Sequence, residues 1–346
     1  MGSVIPATGD LRFGVLNDWQ HGFPLVERPF AAVGATYGVA ARTVIETCRE
    51  LLAEGAISRI GGVWGAGAAG AALLCAFAVP SDRLDVVADI VSSEPGVNHN
   101  YEREHRFNLW FVVTGRDARE VDAAVDALES RTGCRALRLR MQRAYRIDLG
   151  FDLRGNVCPA VARAEARVVR ADARVVRVAP ADEPLAALVE DGLPLLARPY
   201  HAWAAALGVS GEHVRATLGR WLREGTLRRF GAVVRHHEAG FRHNAMTVFD
   251  VGDEAVDACG DALAAQRGVT LAYRRERAEG WPFNLYCMVH GRERADVESA
   301  ISAAIARSGL AACPRAVLFS RRRYKQAGGR YFCTRAGNEG AARAHA

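Results

Sequence analysis

Val97–Asn108 reads V-N-H-N-Y-E-R-E-H-R-F-N and runs on into Leu109-Trp110-Phe111. Val269–Asn284 reads V-T-L-A-Y-R-R-E-R-A-E-G-W-P-F-N and runs on into Leu285-Tyr286. Each stretch sets a tyrosine two residues before an arginine (Tyr101/Arg103, Tyr273/Arg275), and each closes on F-N-L-aromatic. Upstream, Gly22–Phe30 (G-F-P-L-V-E-R-P-F) matches Gly192–Tyr200 (G-L-P-L-L-A-R-P-Y) at an offset of 170. The offset persists at Glu54-Gly55 against Glu224-Gly225, and at Arg59-Ile60-Gly61 against Arg229-Phe230-Gly231. The chain is a tandem duplication, and function has to be read from the pair of units.

Each unit divides again. Residues 27–54 carry a helical apolar pattern, a break at Thr36-Tyr37-Gly38, and a second helical pattern through Val44, Leu51 and Leu52. Residues 198–224 repeat it, with the break at Leu207-Gly208. Two short helices joined by a glycine-containing turn mark a helix-turn-helix. Ile57–Trp64 and Leu227–Val234 then read as wing strands. Short strands and helices follow in the order β-α-β-β-α-β, which is ferredoxin-like. The fold class is therefore α+β, a tandem repeat of a winged helix-turn-helix domain and a ferredoxin-like domain. The expected boundaries are 11–65 and 66–153 for the first unit, a solvated linker over 154–183, and 184–235 and 236–334 for the second. A disordered tail over 335–346 completes the division. Each unit exposes an apolar sheet face, so the two ferredoxin-like sheets are expected to pack as a pseudo-dimer within the chain.

Composition narrows the function classes. Half of the 346 residues are hydrophobic, ample for several cores. The eight cysteines are scattered without a C-x-x-C, which argues for reduced thiols in the cytoplasm rather than a zinc knot or disulfide framework. No signal-peptide pattern opens the chain, and no apolar run is long enough for a membrane span. The net charge of +6 rests on arginine, since Lys325 is the single lysine among 45 basic residues. That balance suits an anionic partner, either a nucleic acid or a polycarboxylate.

The organisation resembles the leucine-responsive regulator (feast/famine) family and, within that architecture, siroheme decarboxylase. The resemblance covers about 16–153 and 185–333 and rests on long motifs. They are L-N-D-W-Q-H-G-F-P-L-V-E-R-P-F, S-R-I-G-G-V, H-N-Y-E-R-E-H-R-F-N-L-W-F-V-V, R-R-F-G-A-V-V-R-H-H-E-A-G-F-R-H-N-A-M and W-P-F-N-L-Y-C-M-V-H-G. It implies a fused pair of subunits acting as a carboxy-lyase. The expected activity is removal of the C12 and C18 acetate carboxyls of siroheme to give 12,18-didecarboxysiroheme, in haem d1 or alternative haem synthesis, with the fused form favouring haem d1. No cofactor is expected, because the substrate carries its own iron, and no protein metal site. A homodimer and hand-over to other haem d1 enzymes are left open.

The residues suit that chemistry. Siroheme is a flat macrocycle rich in carboxylates, and planar guanidinium forks bind carboxylates bidentately. Decarboxylation of a pyrrole acetate also needs a proton for the carbon left behind, from a histidine or tyrosine. Strand alternation puts His99, Tyr101 and Arg103 on one face, and Leu271, Tyr273, Arg275 and Arg277 on another. Arg235-His236-His237 follows the second wing where the first unit has Gly65-Ala66-Gly67. The expected catalytic groups are His99, Tyr101, His236 and Tyr273. The expected substrate-binding groups are Arg59, Arg103, Arg229, Arg235, His237, Asn244, Arg275 and Arg277. A neighbouring arginine is expected to favour a deprotonated tyrosine and to disfavour a protonated histidine. The plainer assignments are core packing for Trp110, Phe111, Trp281 and Phe283, strand-turn hydrogen bonds for Asn108 and Asn284, and structural roles for His105 and His290.

The rival reading is a transcription regulator of the same architecture, with recognition helices near Arg42–Leu52 and Gly211–Leu222. The first helix offers little beyond Arg42, Thr43 and Glu46, and its acidic residue opposes phosphate approach, so DNA is the weaker partner. A tetrapyrrole carrier without turnover is a third class.

Overall fold

The computed structural model describes residues 10–147, 150, 152–155, 176–235 and 237–332. The first unit runs α1 (Leu11–Asn17), α2 (Pro29–Tyr37), α3 (Ala41–Ala53) and β1 (Ile57–Trp64). It continues with β2 (Ala71–Phe77), α4 (Leu84–Ser93), β3 (Val97–Arg103), β4 (Leu109–Gly115), α5 (Ala118–Thr132), β5 (Leu137–Leu139) and β6 (Met141–Ile147). The second repeats the order with α6 (Glu183–Asp191), α7 (Pro199–Leu207), α8 (Gly211–Glu224) and β7 (Leu227–Val234). It ends with β8 (His243–Phe249), α9 (Val256–Ala264), β9 (Val269–Arg275), β10 (Leu285–Gly291), α10 (Arg294–Arg307) and β11 (Arg315–Gln326).

Local chemistry explains the helix-turn-helix breaks. Pro29 and Pro199 open α2 and α7, where a missing N–H costs no helical bond. Gly38 and Gly208 close those helices in the left-handed region, each at φ 67°. The two wings do not serve separate domains, however. β1 and β7 pair antiparallel with each other, Gly61 opposite Gly231, as one two-stranded sheet. Around it the helices of both units share a single core that includes Phe30, Val44 and Leu51 from one and Tyr200, Val214 and Trp221 from the other.

The remaining strands form one sheet in the order β5-β2-β4-β3-β11-β8-β10-β9-β6. Only Arg140 separates β5 from β6, so the two ends of this sheet are successive pieces of one strand and the sheet closes on itself. Each unit donates its last strand. β5 pairs with β2 of its own unit, and β6 then crosses to β9. β11 pairs with β8 at its start and with β3 at its end. α4 and α5 cover one half of the outer surface, and α9 and α10 the other, each pair over its own apolar cluster. The inner surface holds a mixed cluster drawn from both units, including Leu74, Trp110, Met246, Tyr273, Trp281 and Leu318.

The segment expected to be a solvated linker is packed at its C-terminal end. Val178 is buried and donates its N–H to Ala68, while Thr226 donates to the Val176 carbonyl. The rest of that segment over 156–175, and the expected tail over 335–346, lie outside the described residues.

The glycine pair at the wings is a steric requirement. A Cβ on Gly231 would stand 2.3 Å from the Trp19 carbonyl oxygen, and one on Gly61 2.8 Å from that of Val189. Both obstructions are backbone and cannot swing aside. Gly231→Ala is expected to lower the unfolding free energy by about 1–3 kcal/mol, measured by urea denaturation. An unchanged midpoint would show that the segment around Trp19 yields freely.

Candidate active site

Alternation along β3 sends Asn100 outward, where its amide donates to the Ala88 carbonyl of α4, and sends Tyr101 and Arg103 inward. β9 does the same with Tyr273 and Arg275. In each pair the guanidinium lies over its own tyrosine ring, 5.7 Å from the Tyr101 centroid and 4.5 Å from the Tyr273 centroid. Each arginine also donates to a carbonyl of the other unit, just ahead of the stretch that unit exchanges: Arg103 Nη1 to Leu318 at 3.0 Å, Arg275 Nη1 to Leu139 at 2.7 Å. The strand exchange thus builds both Tyr/Arg pairs.

Arg103 is the unusual group. It is 6% exposed, and among the described residues no carboxylate lies within ion-pair distance of it. Its other acceptors are neutral: Asn244 Oδ1 at 3.4 Å from Nη1 and Met288 Sδ at 4.0 Å from Nη2. Its buried Nε has no partner among the described residues. Burial pushes its pKa down to about 10, against the partial support of Tyr101 and Tyr273, one from each unit. Tyr101 is buried too, and burial pushes its phenol up to about 12 although Arg103 and Arg323 act the other way. The expectation that arginine would favour a tyrosinate here is corrected: desolvation outweighs the cation. His99 stacks near Tyr101, ring centroids 6.3 Å apart, with Nδ1 2.8 Å from Asn98 Oδ1. Burial first, and Arg103 second, hold it down at about 4, so the imidazole is neutral at pH 7.

The interior therefore gathers His99, Tyr101, Arg103, Asn244, Tyr273 and Arg275 from the expected set. Others stand apart. Arg59 donates to the Gly62 carbonyl and lies beside Glu190, and buried Arg229 donates to Gln20 and Ala232 carbonyls; both belong to the helix-turn-helix region. Arg235 starts the loop after β7, with its N–H on the Ala56 carbonyl. Arg277 is engaged by Asp250 and Asp253, each at 2.9 Å. His237 is exposed, next to Glu238, which ion-pairs with Arg323 opposite Tyr101 in the sheet register. Partial desolvation, and then the Arg323 charge, hold His237 below its ordinary value. His236 lies outside the described residues.

Sequence reasoning missed Leu318 and Met288, which accept from Arg103, and Ser320, which donates to Asn244 beside it. The plainer assignments are met. Asn108 and Asn284 each bridge both backbone groups of a residue after a neighbouring strand, Val79 and Val251. Trp281 is buried, donates to the Tyr286 hydroxyl and packs edge-on against His105. Arg106 donates to the Gly280 carbonyl, so the hairpin tips 104–108 and 276–284 meet beside the two arginines. A cleft of about 320 Å³ opens to solvent over Gln142, Asp253, Arg274, Arg275, Glu276 and Arg277. Among the described residues no cluster of three or more His, Cys, Asp or Glu is placed to hold a metal, and no helix is long and apolar enough to cross a membrane.

Residues 14–57 and 182–228 match the siroheme decarboxylase NirDL-like HTH domain, and 68–146 and 238–325 match the AsnC-like ligand binding domain. The siroheme decarboxylase NirDL subunit of Paracoccus pantotrophus is 40% identical over 321 residues, 92% of this chain and 96% of that protein. The one from Paracoccus denitrificans (strain Pd 1222) is 38% identical over 320 residues, with the same coverage. Among solved structures, the siroheme decarboxylase NirDL in co-complex with an iron-uroporphyrin III analogue is 25% identical, with a TM-score of 0.65 over 93% of this chain and 94% of that one. The chain belongs to the siroheme decarboxylase family, in its fused NirDL form.

The depressed His99 pKa has a stability consequence. Below about pH 6.5 the unfolded chain takes up a proton at this residue that the folded chain refuses until about pH 4. Stability is therefore fully present above pH 6.5 and falls as pH drops through that window. Between pH 7 and pH 5 the His99 contribution is about 2 kcal/mol, and His99→Leu, which copies Leu271, should remove it. The check is urea unfolding of both proteins at the two pH values; equal losses in both would contradict a neutral His99.

Proposed function

We propose that this chain removes the C12 and C18 acetate carboxyls of siroheme, giving 12,18-didecarboxysiroheme for haem d1 synthesis. The observation that carries the reading is Arg103: a buried guanidinium without a protein carboxylate, flanked by His99, Tyr101 and Tyr273, in a chain of this family. A charge left uncompensated in the interior is costly unless an anion completes it. A substrate acetate supplies that anion as a charge-assisted, bidentate pair.

Each step replaces a CH2–COO⁻ group by CH3. The carbon–carboxyl bond breaks, CO2 leaves, its electron pair passes into the macrocycle, and one proton is taken up at carbon. The balance is redox-neutral, so the proposal includes no cofactor beyond the siroheme iron. The apolar lining around the site favours CO2 over a solvated carboxylate. His99 and Tyr101 are the proposed proton donors. A bound carboxylate neutralises Arg103 and raises the His99 pKa from its depressed starting value, which brings the imidazole toward the charged form only when substrate is present. Tyr273 flanks the same fork from the second unit, and Arg275 offers a second fork. His236 is retained as a candidate acid of the second unit on its sequence position alone. The interior is filled by side chains, so an acetate arm reaching Arg103 displaces packing at the hairpin tips 104–108 and 276–284. The described thiols are unpaired, most of them buried, and the cytoplasm is the proposed compartment.

The test is anaerobic incubation of the full-length protein with siroheme, followed by mass spectrometry. Loss of two CO2 units is the expected result, and recovery of unaltered siroheme overturns the reading. Arg103→Ala is expected to weaken siroheme binding by roughly 1.5–3 kcal/mol, read from an absorbance titration. Wild-type affinity in that variant would place the anchor elsewhere.

A further inference from the structure

The two Tyr/Arg pairs have different surroundings, and the sheet register shows where. Aligning Leu109 with Leu285 and Phe77 with Phe249 relates the paired strands of one unit to those of the other. On that alignment Asn244 corresponds to Ala72 and Met288 to Val112. Ser320 sits opposite Arg103 as Met141 sits opposite Arg275. His99 corresponds to Leu271 in the same way. Around Arg103 the chain thus places His, Asn, Ser and a thioether. Around Arg275 the same four positions hold Leu, Ala, Met and Val.

The hydrogen bonds follow this difference. Ser320 donates its hydroxyl to Asn244 Oδ1 at 2.8 Å, and the same oxygen accepts from Arg103 Nη1. Nη1 also meets the Leu318 carbonyl, and Nη2 the Met288 sulfur, so three residues of the second unit fix an arginine of the first. All three acceptors are neutral and leave the guanidinium charge for a ligand. Arg275 has the carbonyl of Leu139 and lines the solvent-open cleft.

We infer that Ser320 and Asn244 are positioning residues that lock Arg103 as the carboxylate fork of a single reactive site, and that Arg275 is a more adaptable anchor for a carboxylate the reaction retains. Both acetates are then processed in turn at Arg103, with the macrocycle turned between steps, while a substituent not being decarboxylated rests on Arg275. The inference depends on the proposed siroheme decarboxylation.

The experiment compares full-length wild type, Ser320→Ala, Ser320→Thr, Asn244→Asp, Arg103→Lys and Arg275→Lys. It follows single and double decarboxylation by mass spectrometry and siroheme affinity by titration. Ser320→Ala should cut kcat by about tenfold while Kd moves less than about threefold, because it loosens the fork without removing it. Ser320→Thr keeps the hydroxyl and should recover most of the rate. Asn244→Asp puts a carboxylate beside Arg103 with little change in shape, and should weaken siroheme binding about tenfold or more by competing for the guanidinium. Arg103→Lys should lower kcat for both steps, whereas Arg275→Lys should act mainly on KM. Wild-type kcat in Ser320→Ala, or a larger kcat loss in Arg275→Lys than in Arg103→Lys, overturns the inference. An inactive wild type would instead refute the decarboxylase reading itself, so the two failures are distinguishable.

Discussion

The exchange of final strands is the constraint on which the rest of this molecule depends. Without β11, the edge of β3 at His99–Arg103 would lack its partner, and without β6 so would β9. The same exchange closes the sheet and turns two apolar faces into one interior. It also supplies the backbone acceptors of both inward arginines, Leu318 and Leu139. A single unit could fold much of its own helix-covered core, since the clusters beneath α4 and α5 and beneath α9 and α10 are each drawn mainly from one unit. It could not build a Tyr/Arg site. Duplication followed by fusion fixes the two complementary halves in one chain, which makes the exchanged partner always present at the right concentration.

Arginine abundance alone does not mark the site. Many arginines here are neutralised at the surface: Arg138 by Asp126 and Glu129, Arg140 by Asp122, Arg294 by Glu104 and Glu298. Exposed pairs of that kind contribute little to stability and are screened by salt. Arg103 differs from these in being buried among neutral acceptors, and that burial lowers its pKa. Packing a leucine at this position would remove the buried charge. The guanidinium is instead kept among two phenols, an amide and an imidazole, and the substrate carboxylate proposed above is the charge that would offset its burial.

What could be read from the sequence was local. The glycine breaks at 38 and 208, the strand and helix order, and the inward alternation of Tyr101 and Arg103 all follow from φ preferences and side-chain periodicity. Partner choice was not legible. The pattern of Arg315–Gln326 is the same whether the strand pairs with β8, with β3 or with both in succession, so Ser320 and Leu318 carried no signal as site residues. Arg59, Arg229 and Arg277 looked equivalent to Arg103 in sequence; the fold separates them, the first two into the helix-turn-helix region and the third onto Asp250 and Asp253. The Tyr101 pKa reverses the expected direction for the same reason. A neighbouring cation is visible in the string Y-E-R, whereas the depth at which both groups sit is set by residues more than a hundred positions away.

The two helix-turn-helix modules are joined to each other through their wings. A winged module reads a duplex with its second helix and steadies itself with a wing on the backbone, and dimers space two such readers along the groove. Here β1 and β7 satisfy each other, and at the Gly61/Gly231 crossing the backbones of Val189 and Trp19 leave no room for even a methyl group. The candidate reading helices are also partly neutralised, Arg42 by Glu46 on α3 and Arg220 by Asp182 and Glu224 at α8. The region instead ties into the site's frame. The chain leaves β11 at Gln326, donates from Ala327 to the Asn98 carbonyl beside His99, and reaches Glu190 of α6 through the N–H groups of Tyr331 and Phe332. Glu190 takes the Trp64 indole N–H of β1 as well. One buried carboxylate thus joins the paired wings to the segment that runs on from the exchanged strand, and the helix-turn-helix region is the abutment beside which β11 lies against β3.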